Sequence, residues 1–463
     1  MKELFLIRHA KSSWTDDSLQ DIDRPLNKRG NRQVAAMARP LLTLGALDDP
    51  VYVSHACRAR QTIEGLLEQL PEHDLVSGIR FEPTLYTFRA KQLFKWLKQL
   101  HSDAPSLTVI GHNPALTDLA GMLTDDPVPD MVTGAVLHLQ LPLDDWRQLG
   151  KKPGQVVRYL PPAQASYRLY RRKAPDAPDT GKRLQKQVPA SLHHQLATIR
   201  ALQPGVTQGI DPEFLHQFRV NLRRSRAVTE AIHTITGEDA LRKAIKPLTA
   251  MARRTSQLRD LDVFLQYLDH QADNDPRLQR SLRASGAMDF YRHWRERERQ
   301  LLSEELARKK WRKELNHWEQ TVTGKTLTRA LKETTTEAIH DTVRQRGQVC
   351  IDGFRALSTD APDEAFHDVR KALKRLRYLA ELDRDYYRPL LKELKAQQAL
   401  YGEFQDRHQQ LWLLEELAAS RMDHRLPPVV AELASQIDRE RLASRDTILT
   451  HPPRLDPEHP SDN

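Results

Sequence analysis

The chain contains one helical pattern twice, as HQFRVNLRRSR at residues 216–226 and as HDVRKALKRLR at residues 367–377. Both copies fit His-x-x-Arg-x-x-x-(Arg/Lys)-Arg-x-Arg. Because positions i, i+3, i+7 and i+10 share one face of an α-helix, each copy aligns one histidine and three cations in a stripe. Such a stripe repels itself unless an anion lies along it. The repeat therefore predicts one anion-binding site made by two related halves.

The charge of the whole chain also indicates an anionic partner. The 463 residues are enough for two or three domains, and they carry a net charge of +9 with a pI of about 9.4. Residues 1–170 contain 20 Lys and Arg against 19 Asp and Glu, a net charge of +1, which leaves +8 for the remainder. The basic character thus belongs to the C-terminal part.

The cysteines and the apolar runs indicate the compartment. Cys57 and Cys350 lie far apart in the sequence, so no disulfide framework is expected and a reducing cytoplasm fits. The N-terminal apolar run is too short for a signal peptide, and no stretch approaches the ~18–20 apolar residues that span a bilayer. We expect a cytoplasmic protein without a membrane partner.

Up to about residue 170 the chain alternates short apolar runs with helical patterns. The predicted strands are Leu4–Ile7, Val51–Ser54, Leu107–Gly111, Val136–Leu141 and Gln155–Leu160. The predicted helices between them are Arg29–Leu44, Arg58–Gln69 and Ala90–Gln99. Strand–helix alternation is typical of a three-layer α/β domain, which we assign to residues 1–170. The Pro-rich, charged residues 171–183 predict a linker.

Beyond this linker the strand signals disappear and long amphipathic segments begin. Helices are predicted at 187–203, 211–235, 238–271, 285–318, 328–357, 362–385, 387–419 and 428–446. The repeat divides this all-α domain, residues 184–450, into similar halves. Residues 451–463 predict a disordered tail.

Three of the predicted strands are followed by residues suited to a phosphoryl group. Arg8-His9 follows the first strand, Arg58 the second and His112 the third. Parallel strands bring such residues to one edge of a sheet, where an imidazole can attack phosphorus while guanidinium groups hold its oxygens. Asn113-Pro114 predicts an N-cap and a first helical residue, so a helix N-terminus should also face this edge. The pattern requires neither a metal nor another cofactor.

Together with their neighbours, these residues resemble a known family. The matching motifs are Leu6-Ile7-Arg8-His9-Ala10-Lys11-Ser12-Ser13-Trp14, Asp23-Arg24-Pro25-Leu26, Arg29-Gly30, Arg58-Ala59-x-Gln61-Thr62 and Gly111-His112-Asn113-Pro114. They resemble the histidine phosphatase superfamily, and most of all its SixA-type branch, over roughly residues 1–165. The resemblance implies a nucleophile, His9, and a phosphoryl site made by Arg8, Arg58 and His112. It also implies that the substrate is phosphohistidine or another phosphoester.

The resemblance leaves the general acid unassigned. Glu82 is the nearest candidate by position, but its flanking residues match the family poorly. A phosphoramidate needs less help from an acid than an alkoxide leaving group does. A site without an acid therefore favours protein phosphohistidine as the substrate class.

The doubled basic helix allows three interpretations. They are a solvated helix face balanced by acidic neighbours, a metal site that uses His216 and His367, and a site for an extended polyanion. The stripes contain no acidic residue, and the nearby cations would oppose a bound dication. Further cations, among them Lys246, Arg253 and Lys392, lie on the following predicted helices. Because a helix rises ~5.4 Å per turn, crossing stripes would line a channel for a chain of phosphates.

This region also resembles a known family, the CHAD (conserved histidine α-helical) domain, over roughly residues 184–450. The resemblance implies two four-helix bundles related by a pseudo-twofold axis, with a basic central groove that binds inorganic polyphosphate. The implied polyphosphate-binding residues are His216, Arg219, Arg223, Arg224, Arg226, Lys246, Arg253, His367, Arg370, Lys374, Arg375, Arg377 and Lys392. Asp260 and Asp406 lie in matching motifs of the two halves and are predicted to hold arginines in place.

The sequence thus predicts a histidine-type phosphatase fused to a polyphosphate-binding module, in the cytoplasm and able to associate with polyphosphate granules. DNA or RNA is the alternative anion, but aromatic side chains for base stacking are not interleaved with the stripes. The alternative function is a catalytically silent phosphatase fold that serves as a polyphosphate-binding or targeting protein.

Overall fold

The computed structural model of the chain describes residues 1–48, 50–73, 76–172 and 183–455. It has two compact units, which are Met1–Ala174 with Pro204–Glu213, and Pro175–Gln203 with Phe214–Asn463. Most of the predicted linker at 171–183 lies outside the described residues, and so does the predicted tail from residue 456 onward. None of the helices in the described ranges is long and apolar enough to cross a membrane.

The first unit is built on a six-stranded mixed sheet. Its strands are β1 (Lys2–Arg8), β2 (Val51–Ser54), β3 (Ile79–Glu82), β4 (Ser106–Gly111), β5 (Val136–Leu141) and β6 (Gln155–Leu160). They lie in the order β3-β2-β4-β1-β5-β6. The first four strands pair in parallel, β5 is antiparallel to β1, and β6 is antiparallel to β5.

Helices cover both faces of this sheet. They are α1 (Lys28–Thr43), α2 (Cys57–Glu68), α3 (Ala90–Gln99), α4 (Ala115–Leu123), and the short α5 (Pro162–Ala165) and α6 (Tyr167–Arg171). Alternate residues of β1 enter two separate cores: Phe5 and Ile7 pack with α1 and α2, whereas Leu4 and Leu6 pack with α3 and α4. A strand segment buried on both faces needs consecutive apolar residues, as β1 has from Leu4 to Ile7. The predicted three-layer α/β class is confirmed.

Two details of this unit differ from the sequence prediction. Strand β3 was not predicted, because it lies at the sheet edge and none of its four residues is fully buried. The prediction that Asn113 caps a helix was wrong. Helix α4 begins at Ala115 after Pro114 as the N-cap residue, and the side-chain amide of Asn113 donates instead to Oγ1 of Thr117 at 2.8 Å.

The described chain from residue 184 to 450 is helical, as predicted. Its helices are α7 (Leu184–Gln208), α8 (Pro212–Thr236), α9 (Asp239–Ala244), α10 (Lys246–Arg254), α11 (Ser256–Asn274), α12 (Pro276–Ala284), α13 (Ala287–Ala307), α14 (Lys309–Thr323), α15 (Lys325–Glu333), α16 (Thr336–Arg355), α17 (Asp363–Ala380), α18 (Arg388–Ala419) and α19 (Pro428–Thr450).

Three predicted helices are divided in the structure. The segment 238–271 forms α9, α10 and α11, since Pro247 cannot donate a helical hydrogen bond and sits in the first turn of α10. The segment 285–318 breaks at Arg308, whose backbone is extended. The segment 328–357 breaks before Thr335, whose side chain accepts from the N–H of Ala338 at 3.2 Å and so caps α16.

The helical unit has more than one apolar core. Helices α16 to α19 form a four-helix bundle around a core that includes Phe366 and Tyr401. A second core joins α11, α12 and α13 to the end of α18 and the start of α19, so the 32-residue α18 serves both. Leu455 is 3% exposed in the first of these cores. Leu455, which lies within the predicted tail, thus packs in an apolar core.

Candidate functional site

The catalytic residues predicted in the first unit meet at the C-terminal edge of its parallel strands. The sheet register pairs Arg8 at the end of β1 with Gly111 at the end of β4. His9 and His112 therefore leave neighbouring strands side by side, with ring centroids 5.0 Å apart. Arg58 follows β2 in the first turn of α2, and its side chain is buried with both histidines. We call Arg8, His9, Arg58 and His112 the histidine cluster.

Hydrogen bonds define the tautomer of His9. Its Nδ1 lies 2.7 Å from the carbonyl oxygen of Ala10, and this oxygen can only accept, so Nδ1 carries the proton. Nε2 then bears a lone pair, to which the Nε–H of Arg58 donates at 3.2 Å. His9 thus presents an unprotonated nitrogen inside the cluster, as a nucleophile must.

Both imidazoles are held in the neutral form. Burial lowers the pKa of His9 to about 4, and the charges of Arg58 and Arg8 lower it further, although the bond to Ala10 opposes them. Burial, together with His9 and Arg58, lowers the pKa of His112 to about 2. Neighbouring cations penalise a positively charged imidazole and favour a bound anion. At neutral pH the cluster therefore contains two neutral histidines among guanidinium groups.

Several buried donors at this site are unused within the described residues. Nε2 of His112 lies 2.8 Å from Oγ of Ser54, whereas Nδ1 of His112 has no hydrogen-bond partner there. The same is true of the Nε atoms of Arg8 and Arg24. A buried polar atom without a partner costs about 1–3 kcal/mol. Arg8 and His112 belong to the histidine cluster, and Arg24 lies 3.4 Å from Asp21, which pairs with Arg58. Buried polar atoms without partners at this edge of the sheet suit a ligand with several polar atoms.

A carboxylate that the sequence prediction missed, Asp21, also lies here. Its Oδ2 accepts from Nη2 of Arg58 at 2.9 Å and from the hydroxyl of Tyr86 at 2.8 Å, and its Oδ1 lies 3.4 Å from Arg24. Burial raises the pKa of Asp21, but the hydrogen bonds from Tyr86 and Arg58 outweigh it and the net shift is downward. The available signal was its spacing of three residues before Arg24; Asp23, which belongs to the motif, is exposed.

Glu82, the candidate general acid, has a structural role. Its Oε1 accepts from the N–H and the hydroxyl of Thr84 at 3.0 and 2.6 Å, which caps a short 3₁₀ turn. The hydrogen bond from Thr84 lowers the pKa of Glu82, despite an opposing effect of burial. Asp21 and Glu82 are therefore both carboxylates at neutral pH, and neither is a ready proton donor.

Two glycines support the loop that carries His9. Gly134 has a φ of +77°, and its N–H donates to the carbonyls of Arg8 and His9 at 3.0 and 3.1 Å. A side chain on Gly30 would collide with the carbonyl oxygen of Lys11, so the Arg29-Gly30 motif allows α1 to pack against the loop after β1. These contacts hold the backbone from which the side chain of His9 projects.

In the second unit, the two copies of the basic helix lie on α8 and α17. Burial lowers the pKa of Lys374 on α17 to about 7, and the charges of Arg370, Arg223 and Arg226 contribute. Burial likewise lowers the pKa of Arg370, and Arg223 on α8 adds to that shift. Cations from the two copies therefore act on one another. We call Arg223, Arg226, Arg370 and Lys374 the basic cluster.

Two carboxylates lie beside the basic cluster in equivalent places of the two halves. Burial raises the pKa of Asp260 on α11 to about 6, against the attraction of Arg219 and with a further increase from Asp406. Desolvation also raises the pKa of Asp406 on α18, and the charge of Arg370 opposes it most strongly. Each carboxylate thus interacts with the first arginine of its own copy, as the repeat predicts.

The histidines and the first arginine of the copies make specific contacts. Nη1 of Arg219 donates to Oγ1 of Thr255 at 2.7 Å, beside the start of α11. Nδ1 of His367 lies 2.6 Å from Oε1 of Gln405. The equivalent residue of the first copy, His216, is half-buried. Among the residues that the structure describes, no three His, Cys, Asp or Glu side chains are grouped so that they could hold a metal ion.

The remaining predicted phosphate contacts divide into paired and exposed residues. Arg377 donates to Glu381 at 3.0 Å and to Gln398 at 2.7 Å. Arg375 lies 3.7 Å from Glu230 on α8, which links the two copies. Arg224, Lys246, Arg253 and Lys392 are exposed, as Arg223 and Arg375 also are.

Comparison with known families gives two matches. The model of the histidine phosphatase superfamily (branch 1) matches residues 4–80, and the CHAD domain model matches residues 190–415. An uncharacterized chloroplastic protein of Arabidopsis thaliana is 32% identical over 154 residues, which is 32% of this chain and 70% of that protein. An uncharacterized protein of Mycobacterium tuberculosis is 31% identical over 117 residues, 25% of this chain and 69% of that protein.

Solved structures resemble each unit separately. The protein histidine phosphatase SixA in complex with tungstate is 23% identical, with a TM-score of 0.30, and the match covers 35% of this chain and 99% of that one. The CHAD domain from the plant Ricinus communis is 20% identical, with a TM-score of 0.42, and the match covers 61% of this chain and 92% of that one.

Proposed function

Since this chain belongs to the histidine phosphatase superfamily (branch 1) through its first unit and has a CHAD domain in its second, we propose two linked functions for it. The first unit is a phosphatase that forms a covalent phosphohistidine on His9, and the helical unit binds inorganic polyphosphate. The observation that carries the first proposal is the state of His9, a neutral imidazole whose Nε2 faces Arg58.

In the proposed mechanism, Nε2 of His9 attacks phosphorus, and the bond to the leaving group breaks as the N–P bond forms. Arg58 then transfers its hydrogen bond from Nε2 to a phosphoryl oxygen. Donors from Arg8, Arg24 and His112 hold the other oxygens and neutralise the charge of the transition state. Water next attacks the phosphohistidine, which releases orthophosphate and restores neutral His9.

Neither of the carboxylates described at this site is a ready proton donor. We therefore expect the site to favour leaving groups that can depart without a proton. Asp21 and Glu82 are both held as carboxylates by hydrogen-bond donors. An alkoxide leaves poorly without a proton, whereas the imidazole of a phosphohistidine leaves more readily. Protein phosphohistidine is therefore the favoured substrate. Burial raises the pKa of the Cys57 thiol, which makes it a poor competing nucleophile.

The test of this proposal is to trap the covalent intermediate. The full chain is mixed with a phosphohistidine peptide or with p-nitrophenyl phosphate, and the reaction is quenched early in alkali, where phosphohistidine survives. We expect acid-labile phosphate on the peptide that contains His9. If neither substrate is hydrolysed and no phosphate is bound, the first unit is catalytically silent.

The ionisation of the histidine cluster gives a second prediction. Because the pKa of His9 is about 4 and that of His112 about 2, both rings should stay neutral as the pH falls from 8 to 5. Nitrogen NMR of ¹⁵N-histidine-labelled protein measures this directly, with the proton of His9 on Nδ1. A titration of either ring near the ordinary histidine value of about 6.5 would contradict the proposed nucleophile.

Binding of polyphosphate is supported by the basic cluster. Arg223 and Arg226 on α8 lie close enough to Lys374 on α17 for their charges to lower its pKa, and a chain of phosphates would neutralise these cations together. Inorganic polyphosphate has no bases to recognise, and the described contacts of the cluster include no aromatic ring. We therefore expect the full chain to bind long-chain polyphosphate more tightly than DNA of equal charge at the same salt concentration. Equal or tighter binding to DNA would overturn the preference.

Lys374 makes polyphosphate binding depend on pH. Its pKa is about 7, and bound phosphates would raise it, so binding takes up a proton above pH 7. Affinity should fall as the pH rises from 7 to 9, by up to about tenfold per unit. In Lys374→Arg the guanidinium stays charged, so this part of the pH dependence should disappear in fluorescence titrations.

The matched control is Lys371→Arg, the same exchange on the same helix. Lys371 is exposed and pairs with Asp368 at 2.7 Å, so its replacement should preserve the pH dependence. A pH dependence that survives in Lys374→Arg would show that Lys374 is not the titrating group.

A further inference from the structure

We infer that the first unit removes terminal phosphates from inorganic polyphosphate, so that the polymer bound by the helical unit is also a substrate. The inference rests on the proposed function of both units. It assigns a phosphoanhydride as a second substrate class of the histidine cluster. The protonation states of the side chains around that cluster, and not the identity of the bound polymer, lead to this assignment.

The leaving group of a polyphosphate end fits a site without a general acid. When the terminal phosphate is removed, the group that departs is itself a phosphate, whose second pKa is roughly 6. Such an oxyanion is stable at neutral pH and requires no protonation in the transition state. Asp21 is kept as a carboxylate by Arg58 and Tyr86 and cannot donate a proton, but this leaving group does not need one. A simple alcohol ester would react much more slowly.

The donors of the cluster fit the charge of such an end. The terminal phosphate of the polymer is followed by further anionic phosphates, whereas the phosphoryl group of a phosphohistidine is attached to an imidazole. The unpaired Nε atoms of Arg8 and Arg24 and Nδ1 of His112 offer donors to it, beside Arg58. Two of these three groups are cations, so the interaction is charge-assisted.

The basic cluster supplies the polymer to the same molecule. A polymer bound to Arg223, Arg226, Arg370 and Lys374 is tethered to the phosphatase unit by the polypeptide itself. Tethering converts the second encounter into an intramolecular one, at an effective concentration that can reach roughly the millimolar range. Long chains, which can engage both sites, should therefore be better substrates than chains too short to do so.

The atoms and electrons of the reaction balance with water as the one other reactant. Nε2 of His9 attacks the terminal phosphorus, and the bond from that phosphorus to the bridging oxygen breaks. The electron pair stays on this oxygen, which becomes the new end of a chain shorter by one phosphate. Water then cleaves the N–P bond, so the products are orthophosphate and the free imidazole of His9.

The experiment uses the full chain with long-chain polyphosphate, tripolyphosphate, p-nitrophenyl phosphate and a phosphohistidine peptide. Phosphate release is measured by colorimetry, and the remaining polymer by gel electrophoresis. We expect orthophosphate from both polyphosphates and a chain that shortens from its ends. The value of kcat/KM per chain end should be at least about tenfold higher for the long polymer.

Variants separate the chemistry from the tether. His9→Asn should abolish release from every substrate. Arg223→Ala should lower the ratio of kcat/KM for the long polymer over tripolyphosphate by about tenfold. Arg292→Ala is the matched control, because Arg292 is an exposed arginine of the same unit that pairs with Asp289 at 3.7 Å; it should leave this ratio unchanged.

The outcomes distinguish the inference from the proposed function. If the phosphohistidine peptide is hydrolysed through a phosphoenzyme but neither polyphosphate releases phosphate, the inference is overturned and the proposed function stands. If none of the four substrates reacts, the proposed phosphatase itself is overturned. If polyphosphate is hydrolysed with a ratio that Arg223→Ala does not change, the supply of substrate by the basic cluster is overturned.

Discussion

Replacement of His9 by asparagine is expected to lower turnover of a phosphohistidine peptide roughly 10⁴-fold or more, to the uncatalysed level. An asparagine amide can still donate to the carbonyl of Ala10, as Nδ1 of the histidine does at 2.7 Å, so the local fold is retained. The change removes Nε2, the atom that forms the N–P bond. Initial rates of phosphate release and the amount of trapped phosphoenzyme measure the effect.

The matched control is His55→Asn, the same exchange directly after β2. His55 is exposed and lies edge-on to Phe81, with ring centroids 6.3 Å apart, so its replacement should leave the rate within about twofold. Retention of more than about a tenth of the activity in His9→Asn would place the nucleophile elsewhere. Polyphosphate binding should persist in His9→Asn, because the basic cluster belongs to the other unit.

The histidine cluster could be predicted from the sequence because residues that follow parallel strands lie close together at one edge of the sheet. Arg8-His9 and His112 each follow an apolar run, and such runs in an α/β domain are buried parallel strands. Once β1 and β4 are neighbours, the register places His9 and His112 together without further information. What remained unpredicted is Asp21, which begins a short 3₁₀ helix, Asp21–Asp23, and reaches Arg58 only through the folded path of residues 9–27.

The same distinction holds in the helical unit. The basic stripes follow from helical periodicity, a local property. The breaks at Arg308 and before Thr335 were not predicted, because the amphipathic pattern continues across both and does not show that the backbone of Arg308 is extended or that Thr335 caps α16. Long-range ion pairs are equally invisible in the sequence. Asp363, at the start of α17, accepts from Arg441 at 2.8 Å and from Arg445 at 3.1 Å, and nothing local marks these partners.

Charge reversal in the first copy, Arg223→Glu, is expected to weaken polyphosphate binding by about 30- to 100-fold at low salt. Arg223 is exposed, so the substitution should not disturb the fold. It replaces a cation with an anion beside Lys374 and Arg370, and the slope of log Kd against log salt should decrease with the loss of phosphate contacts. Titration of labelled polyphosphate at several salt concentrations gives both quantities.

Arg292→Glu controls for the change in net charge, and its affinity should stay within about threefold of the parent. Unchanged binding in Arg223→Glu would exclude the first copy from the site. A further measurement tests whether the two copies interact, since Arg223 lies on α8 and Lys374 on α17. Because the charge of Arg223 contributes to the lowered pKa of Lys374, Arg223→Glu should also move the pH-dependent loss of affinity to higher pH.

The double variant Arg223→Glu, Lys374→Glu decides whether the two copies form one site. Residues that contact the same ligand and act on each other's charge are coupled, so the loss of affinity in the double variant should be smaller than the sum of the two single losses. Two independent sites, one for each copy, would instead give additive losses and leave the pH dependence of Lys374 unchanged by a substitution at Arg223. The repeat predicts coupling because the charges of Arg223 and Arg226 in the first copy act on Lys374 in the second, so one polyanion could neutralise cations of both copies.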